Sequence, residues 1–569
     1  MRILLVLISV LVFHGFFDFL DNLPQDAGAD VPEGKLNSIS YAPFREGQSP
    51  LKAIFPSAEQ IDADLTLLAE KTHTFRTYAS GEGTMKLIPA LAQKHGLKMI
   101  QGAWVGYADA DNRKEMEALI QAANTYPDVI KRVIVGNEVL LRGEQEPEKL
   151  IEYIREVKRA VKQPVSYADV WSMYMKYPEL IKEVDFITIH ILPYWEDEPI
   201  SVDKAPAHIE RIYNQVKKEA DTIAPGKPIL IGESGWPSAG KQRGWALPGV
   251  VNEARFIRGL IKVAQDNNFD YNIVEAFNQS WKSQLEGVVG GNWGLFSIDR
   301  EEVFPLTGKV YENVKWLQEL LVSSLLVVLM IPVYWNRLNK LSILHLAVFL
   351  AFVQILAAIM VGQTHQSWST SYTDWQRVQA VLMALLNVVL AALVIHRGVA
   401  LLTGQDTHRK ITLAMEVLFV VVAELSIYIT YELALNGRYI SFPFVLAGIA
   451  VASLLGLAII RTMIAKKWSW QSIELSQLLG PLRMERLTSK ILGYGLMLMG
   501  FLLIIGETRA FMIGRDFILA YSDYGERLYW AVIFTMTNQQ LLEWLFCLAI
   551  LALPFLLSIC IKSRETTVV

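Results

Sequence analysis

The feature that constrains this chain most is a series of long apolar segments, most of them in its second half. Runs of spanning length lie near residues 3–20, 317–335, 343–361, 378–396, 411–433, 441–462, 491–508 and 541–561. A bilayer core takes roughly 20 apolar residues of helix, so each run is long enough to cross a membrane. The sequence therefore predicts a membrane protein with eight candidate spans.

Charged residues are concentrated between the first apolar run and the second. This contrast predicts a globular domain at 31–316, followed by an all-α multi-span transmembrane domain of about seven helices at 317–569. Residues 1–30 are predicted to be an N-terminal membrane anchor, which we favour, or a secretory signal segment, because MRILLVLISVLVFHGFF fits both.

Basic residues are unevenly distributed between alternate loops. With a cytoplasmic N-terminus, the loops on that side hold Arg337, Lys340, Arg397, Arg409, Lys410, Arg461, Lys466, Lys467, Arg483, Arg486, Lys490, Lys562 and Arg564. The short loops on the other side hold Arg438, Arg509, Arg515 and Arg527. Because cytoplasmic loops carry an excess of Lys and Arg, we expect a multi-pass inner (cytoplasmic) membrane protein with its globular domain periplasmic, that is, extracytoplasmic.

Composition excludes other classes of protein. A net charge of −4 and a pI near 6.2, without a basic stripe, argue against nucleic acid as a partner. The two cysteines, Cys547 and Cys560, both lie in the last apolar run, so the globular half can form no internal disulfide. No cofactor or metal ion is expected.

The globular half alternates short apolar runs with segments of helical period. The strand candidates are LNSISYAPF, TFRTYAS, LKMIQGAWVG, KRVIVGNEVLL, QPVSYADVW, VDFITIHILPYW, KPILIGES and YNIVEAFNQSW. Eight such units predict an α/β fold, a (β/α)8 TIM barrel of ordinary size. The alternative, an open doubly wound sheet, lacks a GxGxxG-like turn after an early strand.

Two carboxylates lie at the ends of predicted strands. Glu138 ends the fourth strand, in VIVGNEVL, and Glu233 ends the seventh, in ILIGES. A single glutamate at a strand end is ordinarily solvated or ion-paired, but strands four and seven lie across the barrel mouth from each other. Two carboxylates about 5 to 5.5 Å apart can cleave a glycosidic bond with retention, one donating a proton and the other attacking the sugar.

These segments resemble glycoside hydrolase family 17. GESGWPSAG after PILI is similar to the nucleophile signature of that family, and VGNEVL is similar to the Asn-Glu acid/base segment of related retaining barrels. The resemblance covers roughly residues 36–316 and includes FRTY, HILPYW, EAFNQSWK and NWGLFSIDR. It implies that Glu138 is the acid/base, that Glu233 is the nucleophile, and that the substrate is a β-1,3-linked glucan.

Polar neighbours of the two carboxylates are candidates for substrate binding. Asn137 either holds the sugar 2-hydroxyl or only shapes the strand end. Arg76 either keeps Glu233 ionised or forms an ordinary ion pair. Tyr194 is expected to hydrogen-bond the nucleophile, and two-residue alternation places His190 on the same side of the strand.

Aromatic side chains near strand ends offer flat faces to sugar rings, or else are core residues. These are Trp236, Trp281, Trp195 and Trp104, of which we favour the first two. The further candidates for substrate binding are Tyr41, Glu275 and Lys282. Asn278 stands where relatives often carry Asp, which leaves both catalytic candidates intact.

The architecture as a whole resembles bacterial membrane proteins with a family 17 domain and a multi-span tail, some labelled β-(1,6)-glucan synthases. This favours a membrane-tethered glycosidase or glucanosyltransferase acting on β-glucan, with the lipid bilayer and a polysaccharide synthase as partners. The alternatives are a glucan-binding subunit of a synthesis or export system without turnover, and a synthase that uses a sugar nucleotide. Intramembrane Glu416, Glu424, Glu432 and Glu543 are further functional candidates, and the aromatic segment 507–540 is expected at the outer membrane surface.

Overall fold

The computed structural model describes residues 1–565, with side chains as far as Ser558, so the side chains of Cys560, Lys562 and Arg564 lie outside the described residues. The chain divides into two compact units. One is Pro24–Glu312, and the other combines Met1–Leu23 with Asn313–Val569. The first helix, α1 (Arg2–Asp21), belongs to the second of these units.

The unit Pro24–Glu312 contains a closed barrel of eight parallel strands. Each strand pairs with the next along the chain, and β8 closes the barrel by pairing with β1. The strands are β1 (Leu36–Ser40), β2 (Thr72–Arg76), β3 (Lys98–Ala103), β4 (Ile130–Asn137), β5 (Val165–Val170), β6 (Ile187–His190), β7 (Ile229–Ser234) and β8 (Asp270–Ile273). This confirms the predicted (β/α)8 fold and excludes the open doubly wound sheet.

Helices cover the outside of the barrel. They are α2 (Ala58–Lys71), α3 (Ile88–Lys94), α4 (Asp109–Thr125), α5 (Pro147–Ala160), α6 (Trp171–Lys176), α7 (Glu179–Glu183), α8 (Ala205–Ile223), α9 (Val250–Asn267) and α10 (Ser283–Gly290). A capping residue in the sequence determines where α2 begins. Ser57 precedes α2 and exchanges hydrogen bonds with Gln60, its side chain accepting from the Gln60 amide and its own amide donating to Gln60 Oε1.

Apolar side chains fill the barrel interior. Ile100, Ile134, Ala168, Phe186 and Leu230 form a separate buried cluster contributed by β3, β4, β5, β7 and the residue just before β6. A barrel interior is a packed core rather than a pore, so the catalytic residues of such barrels lie at the carboxyl ends of the strands.

The other unit is helical. Among the described residues, eight helices are long and apolar enough to cross a membrane, and they coincide with the eight apolar runs of the sequence. Besides α1, the helices of this unit are α11 (Trp316–Leu338), α12 (Ile343–Ser369), α13 (Asp374–Leu402), α14 (Arg409–Asn436), α15 (Phe444–Ala465), α16 (Leu475–Leu479), α17 (Arg486–Met512), α18 (Arg515–Ala520), α19 (Tyr524–Met536) and α20 (Gln539–Glu565). All but α16, α18 and α19 are of spanning length.

The aromatic segment 507–540 folds back on itself. After α17 the chain forms α18 and α19, and Phe511, Phe517, Ala531 and Phe534 pack together in a small buried cluster. Its location at the outer membrane surface stays a prediction.

Candidate active site

Glu138 and Glu233 lie close together at the carboxyl ends of β4 and β7. Glu233 is within β7, and Glu138 follows directly after β4. One carboxylate oxygen from each residue and a ring nitrogen of His190 all lie within 4.8 Å of one another. The two glutamates therefore face each other as the strand order predicted.

The backbone at Glu138 is strained. Its φ is 52°, a left-handed conformation that residues other than glycine seldom adopt, and Gly136 just before it has φ 83°. The Glu138 amide donates to the carbonyl of Ala168 on β5 at 2.8 Å, and the register between β4 and β5 shifts over this stretch. Strained non-glycine residues held by their neighbours are concentrated at functional sites.

Arg76, at the end of β2, links both glutamate strands from a fully buried position. Its Nη1 donates to the carbonyl of Gly232 at 2.8 Å and lies 3.3 Å from Glu233 Oε1. Its Nη2 donates to Asn137 Oδ1 at 2.6 Å. The guanidinium therefore fixes the residue before each glutamate and places a permanent positive charge beside Glu233.

His190, at the end of β6, lies between the two glutamates. Nδ1 is 2.9 Å from Glu138 Oε1, and Nε2 is 3.5 Å from Glu233 Oε1. Arg76 Nη1 is a donor 3.4 Å from Nε2, so we assign the ring proton to Nδ1, where it donates to Glu138. Burial raises the pKa of Glu138, but the hydrogen bond from His190 and the positive charges around the site, including Arg142 and Arg76, outweigh burial and leave that pKa below its ordinary value.

Glu138, His190 and Glu233 also offer three atoms of the kind that bind metal ions. The Arg76 guanidinium, however, already supplies positive charge 3.3 Å from Glu233 and 3.4 Å from His190. A divalent cation placed among the three ligands would be repelled by this fixed charge, so the residues fit an arginine-organised carboxylate pair better than a metal centre.

A row of buried polar residues supports the site from β1 and β8, and the sequence reasoning missed it. Asn272 Nδ2 donates to the Gly232 carbonyl at 2.9 Å and to Ser40 Oγ at 2.8 Å. Tyr78 donates to the same Ser40 hydroxyl, and the Arg76 guanidinium lies 4.8 Å above the Tyr78 ring. The available signal was the polar residues at alternate positions of LNSIS and in DYNI.

Asp169, on β5, is a third carboxylate that the sequence reasoning missed. It is buried, and it accepts hydrogen bonds from the Tyr167 hydroxyl and from the Val170 amide. Burial, opposed by the Tyr167 hydrogen bond and reinforced by the charge of Glu138, raises the pKa of Asp169 to about 6. Asp169 therefore changes charge near Glu138 as the pH passes through about 6.

Glu275 and Lys282, two of the predicted binding residues, form an ion pair. Lys282 Nζ lies 2.9 Å from each oxygen of Glu275, whose side chain is buried. Burial raises the pKa of Glu275 to about 7, although the charge of Lys282 opposes the shift. The pair lies close enough to Glu233 for their charges to interact.

Trp281 and Trp104 keep accessible surface. Trp281 is half-buried, and its Nε1 donates to Gln279 Oε1 at 2.9 Å. Trp104 is 38% exposed, with the Arg142 guanidinium 4.5 Å from its ring centroid. Both remain candidates for stacking on sugar rings. Trp195 is half-buried and stacks on Trp293 with the ring centroids 6.3 Å apart.

Two aromatic predictions were wrong because the side chains point into the core. Trp236 has 0% exposure, stacks on Phe256 and donates to the carbonyl of Leu247, so neither ring face can meet a sugar. Tyr41 is 1% exposed and packs against Phe75, and its hydroxyl donates to Asp64. Each residue follows the end of its strand, where strand alternation no longer determines direction.

Tyr194 also differs from its prediction. Strand β6 ends at His190, so alternation does not extend from His190 to Tyr194. Tyr194 is fully buried, and its hydroxyl donates to the carbonyl of Lys241 at 2.5 Å. This contact supports the loop after β7.

Asn278 stands where relatives often carry Asp. Its side chain accepts a hydrogen bond from the Gly294 amide and donates one to the Asn292 side chain, so it stabilises the loop after β8.

Comparison with known proteins identifies the barrel. Residues 38–294 match the BtgE/BtgC glycoside hydrolase domain. A glucan 1,3-β-glucosidase of Arthroderma benhamiae is 29% identical over 259 residues, covering 43% of this chain and 83% of the relative. The corresponding enzyme of Schizosaccharomyces pombe is 29% identical over 269 residues, covering 44% and 77%.

Solved structures are similar to the same part of the chain. A glycoside hydrolase family 17 β-1,3-glucanosyltransferase from Rhizomucor miehei is 29% identical, covers 47% of this chain and 94% of its own, and has a TM-score of 0.41. An endo-laminarinase from Formosa is 20% identical, covers 46% and 83%, and has a TM-score of 0.42. By their match to the family model and to the glucosidase relatives, residues 38–294 of this chain, which contain both facing glutamates, form a BtgE/BtgC glycoside hydrolase domain, an enzyme domain of the glycosidase and transglycosylase class.

Proposed function

We propose that the chain is a membrane-tethered, extracytoplasmic, retaining β-glucan glycosidase or glucanosyltransferase. Its substrate would be β-1,3-linked glucan, with β-1,6 branches among the linkages it could form or cleave. The observation that carries the proposal is the pair of glutamates with oxygens within 4.8 Å on opposite sides of the barrel mouth. The names of the relatives, glucan 1,3-β-glucosidase and β-1,3-glucanosyltransferase, support the choice of substrate.

The separation of the carboxylates favours retention. Inverting enzymes hold their carboxyl groups about 6.5 to 9.5 Å apart to admit a water between base and sugar, whereas retaining enzymes hold them at about 5 to 5.5 Å. Here one oxygen of each glutamate lies within 4.8 Å of the other, which is closer to the separation of retaining enzymes than to that of inverting ones. Direct attack by one carboxylate on the sugar is the chemistry that fits.

In the first step, Glu233 attacks the anomeric carbon while Glu138 donates a proton to the departing glycosidic oxygen. The sugar–oxygen bond breaks and an ester bond to Glu233 forms. In the second step, Glu138 removes a proton from water or from a sugar hydroxyl, which displaces Glu233. Water gives hydrolysis, and a sugar hydroxyl gives a transferred glucan with the same anomeric configuration.

Three contacts around the glutamates support this division of roles, whereas the lowered pKa of Glu138 in the substrate-free protein opposes its role as acid. Arg76 lies 3.3 Å from Glu233. Its positive charge stabilises the Glu233 carboxylate, which is the form that can attack the sugar. Asn137 is held by Arg76 beside Glu138, where its amide can meet the sugar 2-hydroxyl. Glu138 lies farther from Arg76, and its hydrogen bond is with the His190 ring.

The membrane assignment rests on the helical unit and on charge. Eight helices of spanning length are present among the described residues, and the excess of basic residues in alternate loops predicts that the barrel is extracytoplasmic. A polysaccharide synthase stays the predicted protein partner, and copurification from native membranes would test it.

Product analysis of the purified full chain with laminari-oligosaccharides tests the proposal. We expect shorter products from hydrolysis or longer and branched ones from transfer, and we expect Glu233→Gln to abolish turnover while leaving oligosaccharide binding measurable by calorimetry. Glu302→Gln, which alters a partly exposed ion pair with Lys71 at the surface, is the matched control and should keep turnover. Binding without any product from the parent chain would contradict the proposal and favour the alternative, a glucan-binding subunit of a synthesis or export system.

A further inference from the structure

A groove in the helical unit has no part in glycoside chemistry. Three elements enclose it: α15, α20, and the stretch 466–485 between α15 and α17, which we name the connecting segment. The cavity measures about 540 Å³. Its walls are almost wholly apolar and include Leu454 and Ala458 of α15, Trp468 and Leu478 of the connecting segment, and Ile550 of α20.

The connecting segment is a fixed wall of this groove rather than a loose loop. Arg397 of α13 donates from Nε to the carbonyl of Leu478 at 2.8 Å and from Nη2 to the carbonyl of Gln477 at 3.2 Å. Glu416 of α14 accepts from the amides of Arg483 and Met484 at 3.0 and 2.5 Å.

Both of these charged side chains are buried within the helical unit, at 7% exposure for Arg397 and 5% for Glu416. Buried charges in membrane helices are costly, and they are retained where they serve a purpose. Here each one binds backbone groups of the connecting segment. One bound residue, Leu478, itself lines the groove.

Along α15 the residues beside the groove change from apolar to polar and then to positively charged. Leu454 and Ala458 are apolar, and Thr462 follows about 12 Å beyond Leu454 at the helical rise of 1.5 Å per residue. Thr462 Oγ1 is buried and has no hydrogen-bond partner among the described residues. One turn further on, Lys466 and Lys467 form the exposed link between Met463 and Trp468, two residues that line the groove.

The two lysines are available to a ligand. Both are exposed, and neither has an ion pair or hydrogen bond from its side chain within the part of the chain that the structure describes. The nearest acidic residue in the connecting segment, Glu474, is buried and accepts from Ser476. Trp468 and Trp470 beside the lysines are 54% and 58% exposed, as is typical of aromatic residues at a membrane interface.

We propose that this groove binds an anionic phospholipid. One lipid chain would lie between α15 and α20, the polar region where the chain joins the headgroup would meet Thr462, and the phosphate would meet Lys466 and Lys467. The order of groups along α15 matches the order of groups in such a lipid, and its positive rim complements the negative headgroup. The inference requires only that α15 and α20 cross the membrane, and it is independent of the proposed glucan chemistry.

Lipid retention by the intact chain is the first test. The full chain would be reconstituted in nanodiscs that contain equal amounts of phosphatidylglycerol and phosphatidylcholine, then released and examined by native mass spectrometry. We expect one phosphatidylglycerol to be retained in clear excess over phosphatidylcholine. Equal retention of the two lipids by the parent chain, or retention of neither, would overturn the proposal.

Variants then locate the site. Lys466→Gln with Lys467→Gln should reduce the preference for phosphatidylglycerol about 30-fold, the effect expected of two lysine charges near a lipid surface. Ala458→Trp should fill the groove and remove retention of either lipid while the lysines remain. The matched controls are Arg337→Gln with Lys340→Gln, which removes two charges at another loop of the same predicted side, and Leu382→Trp, which adds the same ring at an exposed position of α13.

The outcomes are distinct. A lysine double variant that retains phosphatidylglycerol like the parent, or a control pair that loses it equally, would overturn the assignment of the site. If Ala458→Trp does not elute as a single species, Ala458→Leu and the selectivity of the parent chain decide the question. Glucan turnover is measured on the same samples, so a loss of turnover with lipid retention intact would contradict the proposed function alone.

Discussion

At the scale of single residues, His190 controls the charge of the proposed acid. Its ring contacts Glu138 at 2.9 Å on one side and the Arg76 guanidinium at 3.4 Å on the other. Arginine is a permanent donor, so the ring accepts from it and donates to Glu138. A hydrogen bond to the ionised form of a carboxyl lowers its pKa, which is the direction found for Glu138.

Replacing His190 should therefore change the pH profile in a known direction. The general acid must be protonated, so the basic limb of kcat/KM reports the loss of the proton from Glu138. His190→Leu removes the hydrogen bond that favours the carboxylate, so the pKa of Glu138 should rise and the basic limb should move to higher pH. His190→Gln, whose amide can still donate, should show a smaller shift. A limb that stays in place or moves to lower pH in His190→Leu would refute this role.

Apart from Glu138, which follows β4 and was identified from its motif, the residues of the site were predictable where a strand determines side-chain direction. Arg76, Glu233 and His190 lie within strands, and they face the mouth as expected. Trp236 and Tyr41 lie just beyond strand ends, and both turned into the core. Loop packing that involves residues distant in sequence decides such cases.

Residues that act from neighbouring strands were missed for a different reason. Asp169 and Asn272 belong to no recognised motif, and they matter through the atoms beside them: the charge of Glu138 and the carbonyl of Gly232. Only the closed barrel brings these pairs together. The sequence predicted the order of the strands in the barrel, but not which atoms of neighbouring strands meet.

At the scale of elements, the eight strands were recognisable because each is a short apolar run between helical segments. The register shifts were not recognisable. Pairing slips between Ile231 and Ser234 on β7 and between Ile134 and Asn137 on β4, next to the two glutamates. These irregularities, together with the positive φ of Glu138, orient the catalytic candidates.

Gly232 shows how closely β7 is packed at the site. A Cβ at this position would lie 2.3 Å from Thr188 Cγ2 and 3.3 Å from Arg76 Nη1. Gly232→Ala should therefore displace β7 or Arg76 and move Glu233, and a displacement of about 1 Å at a catalytic site costs on the order of 100-fold in rate. Steady-state measurement of kcat/KM on laminari-oligosaccharides would check this.

Gly106→Ala is the matched control for that measurement. A Cβ there would approach no atom closer than 3.8 Å, and the φ of Gly106 is not in the left-handed region. The control should keep the activity of the parent chain. Equal activity in Gly232→Ala and Gly106→Ala would show that the close packing at β7 has no bearing on catalysis.

At the scale of the whole molecule, the sequence predicted eight spans, and eight helices of spanning length are found among the described residues. Their orientation stays a prediction from charge. The arrangement of basic loops places Lys340 in the cytoplasm and the barrel, with exposed Lys86, outside it.

Cysteine labelling tests this orientation. In a background without the two native cysteines, Lys86→Cys should react with a membrane-impermeant maleimide in spheroplasts, and Lys340→Cys should react only after the membrane is opened. Both positions are exposed in the structure, so a failure to label reports the membrane barrier rather than burial. The reverse pattern would place the barrel in the cytoplasm.

The central claim is that Glu233 attacks the sugar and becomes covalently bound to it. A 2-deoxy-2-fluoro-β-glucosyl substrate with a good leaving group slows the second step and accumulates the glycosyl-enzyme, which peptic digestion and mass spectrometry can locate. We predict a single label on the peptide that contains Glu233, and its absence from Glu233→Gln. Turnover without a label on this peptide, with products of inverted configuration, would contradict the account.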